Sequence, residues 1–245
     1  DQALVLGLIL LPAWSLDRFL GPLTDRAVRF PGRPVRGFLW YGLFLLLLGL
    51  YFNHRVGEDV GDEAHYMTQL QSLRQDGDLA VDNNLSHPLS EIHAERRRDM
   101  AHMHLVKSPG GRIFSYHSFG LPLLGWPLAF AGFFGRQLLL ALIGAVALAG
   151  CHGLCREAGA SRRAVRLTLL VLGFSYAWAV YAIRFLPEVL GCGLLAWAFW
   201  GFMAQRRRPW LTMAVTLAAC GFLPYAHTRF AVPSLLVALC YGLRG

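Results

Sequence analysis

Charge is what this sequence has least of. Charged residues fill 16% of its 245 positions, where a soluble domain carries about 25%. Lysine is almost missing, with Lys107 standing alone against many arginines. No Gly-x-Ser-x-Gly elbow and no cofactor loop is present, which excludes a soluble hydrolase reading. No basic start followed by an A-x-A-like site marks a secretory signal. Cysteine is sparse and badly placed for bridges. Cys151, Cys155, Cys192, Cys220 and Cys240 all fall inside apolar runs, so a disulfide frame is excluded. The pair Cys151-His-Gly-Leu-Cys155 lacks the Cys-x-x-Cys-His order of haem attachment, and the cysteines read as small buried apolar groups.

Long uncharged runs take the place of charge. They cover residues 37–53, 137–155, 167–183, 189–205, 210–226 and 230–243. Crossing a bilayer core of about 30 Å takes roughly 20 residues of helix, with a range near 17–25. With 55% hydrophobic residues overall, the fold class expected is all-α: a polytopic bundle of transmembrane helices. A further apolar run, 3–16, precedes a basic stretch, so residues 1–36 are set apart from a membrane domain at 37–245. Asp1 is the first residue and an apolar run ends just before Gly245, so the chain is expected to be part of a longer protein, incomplete at its C-terminal end.

Arginine sets the expected topology. Short loops rich in Lys and Arg stay on the cytoplasmic side. Segments 17–36, 156–166 (REAGASRRAVR) and 205–209 (QRRRP) all qualify. The net charge of +8 is therefore a topology signal, and no nucleic-acid partner is needed to explain it. Residues 117–135 are uncharged and long enough to cross, but carry Pro122 and Pro127, which interrupt helix hydrogen bonding. They are read as a re-entrant or interfacial segment, tolerated where it lines a cavity or is covered by protein. That choice makes 54–136 one large outer loop. It leaves 184–188 and 224–229 as short outward turns, with both basic turns inside.

The outer loop concentrates the acidic residues: ten of fifteen lie between Glu58 and Asp99. Residues 62–75, DEAHYMTQLQSLRQ, predict an amphipathic helix on the membrane surface, with Met67, Leu70 and Leu73 on one face. Asp62 is placed either as its N-cap or as a catalytic carboxylate. Glu58 and Asp59 read as solvated loop charges. The histidines His87, His93, His102 and His104 are spaced too loosely for a defined metal site and read as solvated. No cofactor is otherwise implied, and a divalent metal is left open. Arg96, Arg97 and Arg98 are placed in the same loop, where attraction to anionic groups is one use for them.

The motif Gly61-Asp-Glu-Ala-His-Tyr66, followed by QSLRQDGDLAVDNN, resembles the first outer loop of the GT-C glycosyltransferases. The branch it is similar to contains bacterial protein O-mannosyltransferases and the lipid A aminoarabinose transferase. Tyr116-His-Ser-Phe-Gly-Leu-Pro-Leu-Leu124 resembles the proline-containing second outer segment of that family. Tyr181-Ala-Ile-Arg-Phe-Leu-Pro-Glu188 and Leu223-Pro-Tyr-Ala-His-Thr-Arg-Phe230 resemble its later outer turns. One departure stands out: the aminoarabinose branch carries lysine where this chain has His117.

The resemblance implies a sugar delivered on polyprenyl phosphate and transferred to an unidentified acceptor on the periplasmic side of a bacterial inner membrane. The leaving phosphate needs cations, and Arg184, Arg229, His227 and His117 are the candidates. The acceptor hydroxyl needs a base, for which Asp62 is first and Glu63 second. Tyr66 and Glu188 complete the candidate site. Displacement would be single and inverting. Plainer readings stand beside these. Arg184 and Arg229 also fit snorkelling interface arginines, and Glu188 fits a helix N-terminal charge favoured by the dipole. Two other functions stand beside the enzyme: a non-catalytic membrane subunit that scaffolds a larger complex, and a transporter of lipid-linked sugar. The transporter ranks last because ionisable residues inside the runs are almost confined to His152.

Overall fold

The structure, a computed structural model, describes residues 33–56, 62–84 and 104–244. The apolar segment 3–16, most of the basic segment 17–36, Glu58, Asp59, His87, His93, His102 and the Arg96–Arg98 run lie outside the described residues. Helix α1 (Arg33–Val56) and helix α2 (Glu63–Gln75) precede strands β1 (Leu105–Lys107) and β2 (Ile113–Ser115). Then come α3 (Gly120–Ala129), α4 (Gly132–Glu157), α5 (Arg162–Gly173), α6 (Tyr176–Ile183), α7 (Glu188–Ala204) and α8 (Pro209–Ala226). A 3-10 turn, Thr228–Phe230, leads into α9 (Ala231–Arg244).

Among the described residues, three helices are long and apolar enough to cross a membrane: Val35–Asn53, Gly132–Glu157 and Pro209–Ala226. The run 167–183, expected as one span, is instead two helices, α5 and α6, bent by 59°. Ser175 makes the break. Its backbone is extended (ψ 145), its hydroxyl donates to the Leu172 carbonyl at 2.8 Å, and it accepts from the Trp178 amide at 3.3 Å. A serine N-cap thus stops one helix and starts the next. Taken together, the bent pair makes a fourth candidate span; α7, at 17 residues, is shorter. Six full spans were expected; α7, at 17 residues, sits at the lower edge of the crossing range, and α9, at 14, falls below it.

Helix α4 is the central strut. Gly42 lies against Ala145 and Gly49 against Gln137, so α1 runs antiparallel to α4. Ala147 meets Gly193, and Gly150 and Gly153 lie beneath the rings of Trp197 and Trp200, so α7 runs parallel to α4. Gly201 meets Thr216, which turns α8 back along α7. Small residues let backbones approach closely where lipid offers no hydrophobic drive for helix association. The ends of the bundle are chemically sorted. At one end, Arg207 pairs with Glu157 at 3.3 Å, joining the two basic turns. At the other, Asn53 Nδ2 donates to the Ile183 carbonyl at 2.7 Å, Glu63 accepts from the Phe185 amide, and Arg229 of the 227–229 turn reaches Glu188 of the 184–188 turn.

Helix α2 corrects an expectation. Ten of its thirteen residues are buried, so it does not lie with one face on a membrane surface. Its polar residues find partners inside: the Thr68 hydroxyl donates to Ala64 O, Gln69 Nε2 to His117 O, and the Ser72 hydroxyl to Ala80 O at 2.6 Å. Its apolar residues Tyr66, Met67 and Leu70 join a core with Leu121, Leu139 and Phe185. The β1–β2 hairpin closes through Ser108–Gly111, where Gly111 takes φ 84, a left-handed value that suits glycine. Arg112 then binds Asp78 at 2.9 Å and Asp82 at 3.1 Å, and Val81 N donates to Ile113 O. Acidic residues of the outer loop therefore fasten the hairpin. Residues 117–135 form α3, with Pro127 inside it, and the first turn of α4. Gly132 (φ 58) opens α4 five residues before the apolar run expected at 137.

Candidate functional site

Four chain segments meet at the end of the bundle away from the basic turns: the start of α2, the stretch after β2, the α6–α7 turn and the α8–α9 turn. Asp62 occupies the N-cap position of α2, but its backbone is helical (φ −72, ψ −10) and its side chain makes no capping bond. A capping aspartate usually has extended backbone and bonds a first-turn amide. The Asp62 carboxylate instead points outward, 56% exposed. The capping alternative is therefore not realised, and the carboxylate is left for other partners.

Glu63 differs in every respect. It is 3% exposed. Its Oε1 accepts from the Phe185 amide at 2.7 Å, and its Oε2 lies 3.4 Å from Arg184 Nη1. Arg184 is itself only 11% exposed. These two residues, expected as a reserve base and a phosphate cation, hold each other and pin the α6–α7 turn to α2. Leu186 N donates to Arg184 O, tightening the turn further.

Arg229 lies half in solvent and reaches Glu188 through Nη2 at 2.6 Å. Its guanidinium also sits 5.3 Å from the Phe230 ring, within cation–π range. Glu188 opens α7 directly after Pro187, where a carboxylate suits the helix dipole. Its Oε2 is buried without a hydrogen-bond partner. His227 Nδ1 accepts from the Arg229 amide at 3.2 Å, capping the 3-10 turn. Burial first and Arg229 second hold His227 below the usual imidazole range, against the opposing pull of Glu188 and Asp62. Tyr66 is buried, and burial followed by the charges of Glu188 and Asp62 pushes its hydroxyl upward. Asp62, Tyr66, Glu188, His227 and Arg229 thus share one electrostatic neighbourhood.

His117 completes it in an unexpected way. Its ring stacks on His65, centroids 4.6 Å apart and planes 27° apart, and lies 5.2 Å from the ring of His104. Tyr66 meets it edge-on at 5.3 Å. His117 Nε2 is 3.9 Å from Asp62 Oδ1. His104, read from sequence as solvated, packs beside this pair of rings, and its φ of 59 is a left-handed value uncommon outside glycine. The hairpin explains its position: Leu105 pairs with Ser115, and Tyr116 N donates to His104 O at 2.7 Å. The turn signal Ser108-Pro-Gly-Gly111 between Leu-Val-Lys and Ile-Phe-Ser is the sequence feature that would have predicted the pairing. His65 had no comparable signal of its own. Among the described residues no group of three or more His, Cys, Asp or Glu side chains has the geometry to hold a metal ion.

The arrangement offers one exposed carboxylate, one half-exposed guanidinium oriented by a second carboxylate, and imidazoles between them. That set can accept a proton at Asp62 and receive an anion at Arg229. Compared with family models, characterised proteins and solved structures, the chain matches none.

Proposed function

We propose that this chain is the catalytic membrane part of a glycosyltransferase of the GT-C type, moving a sugar from polyprenyl phosphate to an acceptor hydroxyl. Residues 37–245 form its membrane domain, with six crossings, and the outer loop faces the periplasm of a bacterial inner membrane. One observation carries the reading. An uncapped, exposed carboxylate at the start of the GDEAHY motif sits beside His117, in the same charged neighbourhood as the Arg229–Glu188 pair. All of it lies at the bundle end opposite the Arg207–Glu157 contact.

The chemistry follows from those groups. The acceptor oxygen forms its bond to the anomeric carbon as the bond from that carbon to the phosphate oxygen breaks. The phosphate leaves with the electron pair, and the acceptor proton passes to Asp62. Attack on the face opposite the leaving group inverts the centre. Arg229, held by Glu188, supplies positive charge where the phosphate charge develops. His227 lines the same turn. Glu63 and Arg184 serve by fixing the turn that presents Glu188.

The test is transfer of labelled sugar from a synthetic polyprenyl-phosphate-linked hexose in proteoliposomes. A base contributes about 10²–10⁴-fold, so Asp62→Asn should lower the rate by at least that lower bound while the protein stays folded. Full activity in Asp62→Asn would end the base assignment. Lack of transfer by the unaltered chain across a panel of lipid-linked sugars and acceptors would favour the non-catalytic subunit instead.

A further inference from the structure

We propose that His117, stacked on His65 and flanked by His104, is the positioning residue for Asp62: its Nε2–H donates to the carboxylate and keeps it aimed at the acceptor. This rests on Asp62 being the base. The geometry comes from four places. His117 Nε2 is closed to solvent and has no hydrogen-bond partner, and its side chain is only 8% exposed. A buried polar nitrogen without a partner is rare in folded proteins and asks for a reason. The nearby acceptor is Asp62 Oδ1 at 3.9 Å. An ionised carboxylate can only accept, so the nitrogen facing it must carry the proton.

The gap is longer than a hydrogen bond. Asp62 is exposed and uncapped, so a side-chain rotation can close it, and such bonds commonly tighten only when substrate is bound. His117 by contrast has little freedom. Its backbone N donates to Ser115 Oγ at 3.2 Å, and its carbonyl accepts from Gln69 Nε2 at 2.8 Å. His65 stacks on it from α2, and His104 packs against both rings, 5.6 Å from His65. The left-handed backbone of His104 is strain that persists only where the surroundings fix it.

Three imidazoles suit this task for an electrostatic reason. A cation at this place would hold Asp62 but also make it a poorer base. A neutral imidazole holds it at a smaller cost in basicity. His104 and His227 help keep His117 neutral, because a proton on one ring is repelled by a proton on another. Burial lowers His117, with His104 and His227 acting the same way and Asp62 opposing. Burial also lowers His65 to about 4, with His117 and His104 adding to it.

The experiment is ¹⁵N NMR of the full chain, histidine-labelled, in lipid nanodiscs, joined to the transfer assay with the polyprenyl-phosphate-linked hexose. At pH 7 the spectrum should show His117 neutral with its proton on Nε2. A proton on Nδ1 with bare Nε2, or an imidazolium, would overturn the proposal without any substrate. In the assay His117→Leu should lower kcat about 10- to 100-fold, the worth of one hydrogen bond to a charged group, with KM within about twofold. His117→Gln, whose amide N–H reaches the same oxygen, should recover most of that loss. Equal loss in both folded variants would also overturn it. An inactive Asp62→Asn beside a fully active His117→Leu removes only the positioning role, whereas an active Asp62→Asn removes the base reading beneath it.

Discussion

Replacing Glu63 separates a structural carboxylate from the proposed base standing next to it in sequence. Glu63 is buried, accepts from the Phe185 amide at 2.7 Å and faces Arg184 at 3.4 Å. Glu63→Ala removes both contacts at once, leaving a buried guanidinium without that carboxylate. Breaking one partner of a buried pair costs about 3–5 kcal/mol. Glu63→Gln keeps an oxygen for the Phe185 amide and loses only the charge. Since an unmet buried amide costs about 1–3 kcal/mol, the glutamine variant should retain roughly half of the stability that alanine loses. In a chain of this size about 1 kcal/mol moves the midpoint by roughly 2–4 °C. Glu63→Ala should therefore melt about 10 °C lower and Glu63→Gln about 5 °C lower, read by thermal unfolding in nanodiscs. Combining Glu63→Gln with Arg184→Met should cost less than the sum of the two, because the two side chains are in direct contact and each change removes part of the same interaction. In the transfer assay folded Glu63→Gln should stay well above Asp62→Asn. A Glu63→Ala midpoint equal to that of the unaltered chain would refute the clamp, and an additive double variant would refute the pairing.

Other consequences are as direct. Gly120→Ala drives a methyl group into the backbone of α8, with Tyr225 O at 2.5 Å and Ala226 N at 2.8 Å, neither of which is a flexible side-chain end. Overpacking of this kind costs about 1–3 kcal/mol, and both the melting point and sugar transfer should fall, since this contact sets the second outer segment against the 227–229 turn. Ser72→Ala leaves the buried Ala80 carbonyl without its 2.6 Å donor and should cost about 1–2 kcal/mol, seen as faster amide exchange at residues 78–84. Acid should loosen the imidazole stack. His65 titrates near 4 when folded and near 6.5 when unfolded, so the unfolded chain takes up the proton first. This contribution is complete above about pH 6.5 and is lost as pH falls toward 4, on the order of 2 kcal/mol after solvent screening. Melting at pH 7 and pH 5 checks the sign, and a higher midpoint at pH 5 would contradict it. Cysteines placed at Asp82 and Arg207 should be labelled from opposite faces of a sealed vesicle, and labelling from one face would overturn the proposed path.

The parts of this molecule that a reader of the sequence can find are those written locally. Residues 137–155 and 210–226 are apolar for long enough that a helix is the sole economical backbone state in lipid, and they lie within α4 and α8. Ser175 was as local, yet passed unread inside an apolar run, because a serine there also fits an unbroken helix bonding its own backbone. Helix α2 went wrong for a different reason. Its apolar residues gave one face, but burial was decided by polar partners far along the chain: His117 O for Gln69 and the Phe185 amide for Glu63. A periodicity argument has no access to such partners.

The same distinction runs through the site. Asp62 was singled out by its motif, and Arg229 and Glu188 by their turns, because each sits in a recognisable local setting. What each does depends on the side chain opposite. The neighbours Asp62 and Glu63 carry the same chemical group, yet one is exposed and uncapped while the other is buried against Arg184. Arg184 and Arg229 divide likewise: the first is enclosed with its carboxylate, the second keeps half its surface in solvent while Glu188 steers it. An anion arriving from the membrane can be met by the second without dismantling the fold. Recruiting the first would break the contact that fixes the α6–α7 turn, and with it the position of Glu188. The folded chain has therefore divided its acids and bases into a pair that holds the turn, Glu63 and Arg184, and two more exposed groups, Asp62 and Arg229, to which the proposed chemistry is assigned.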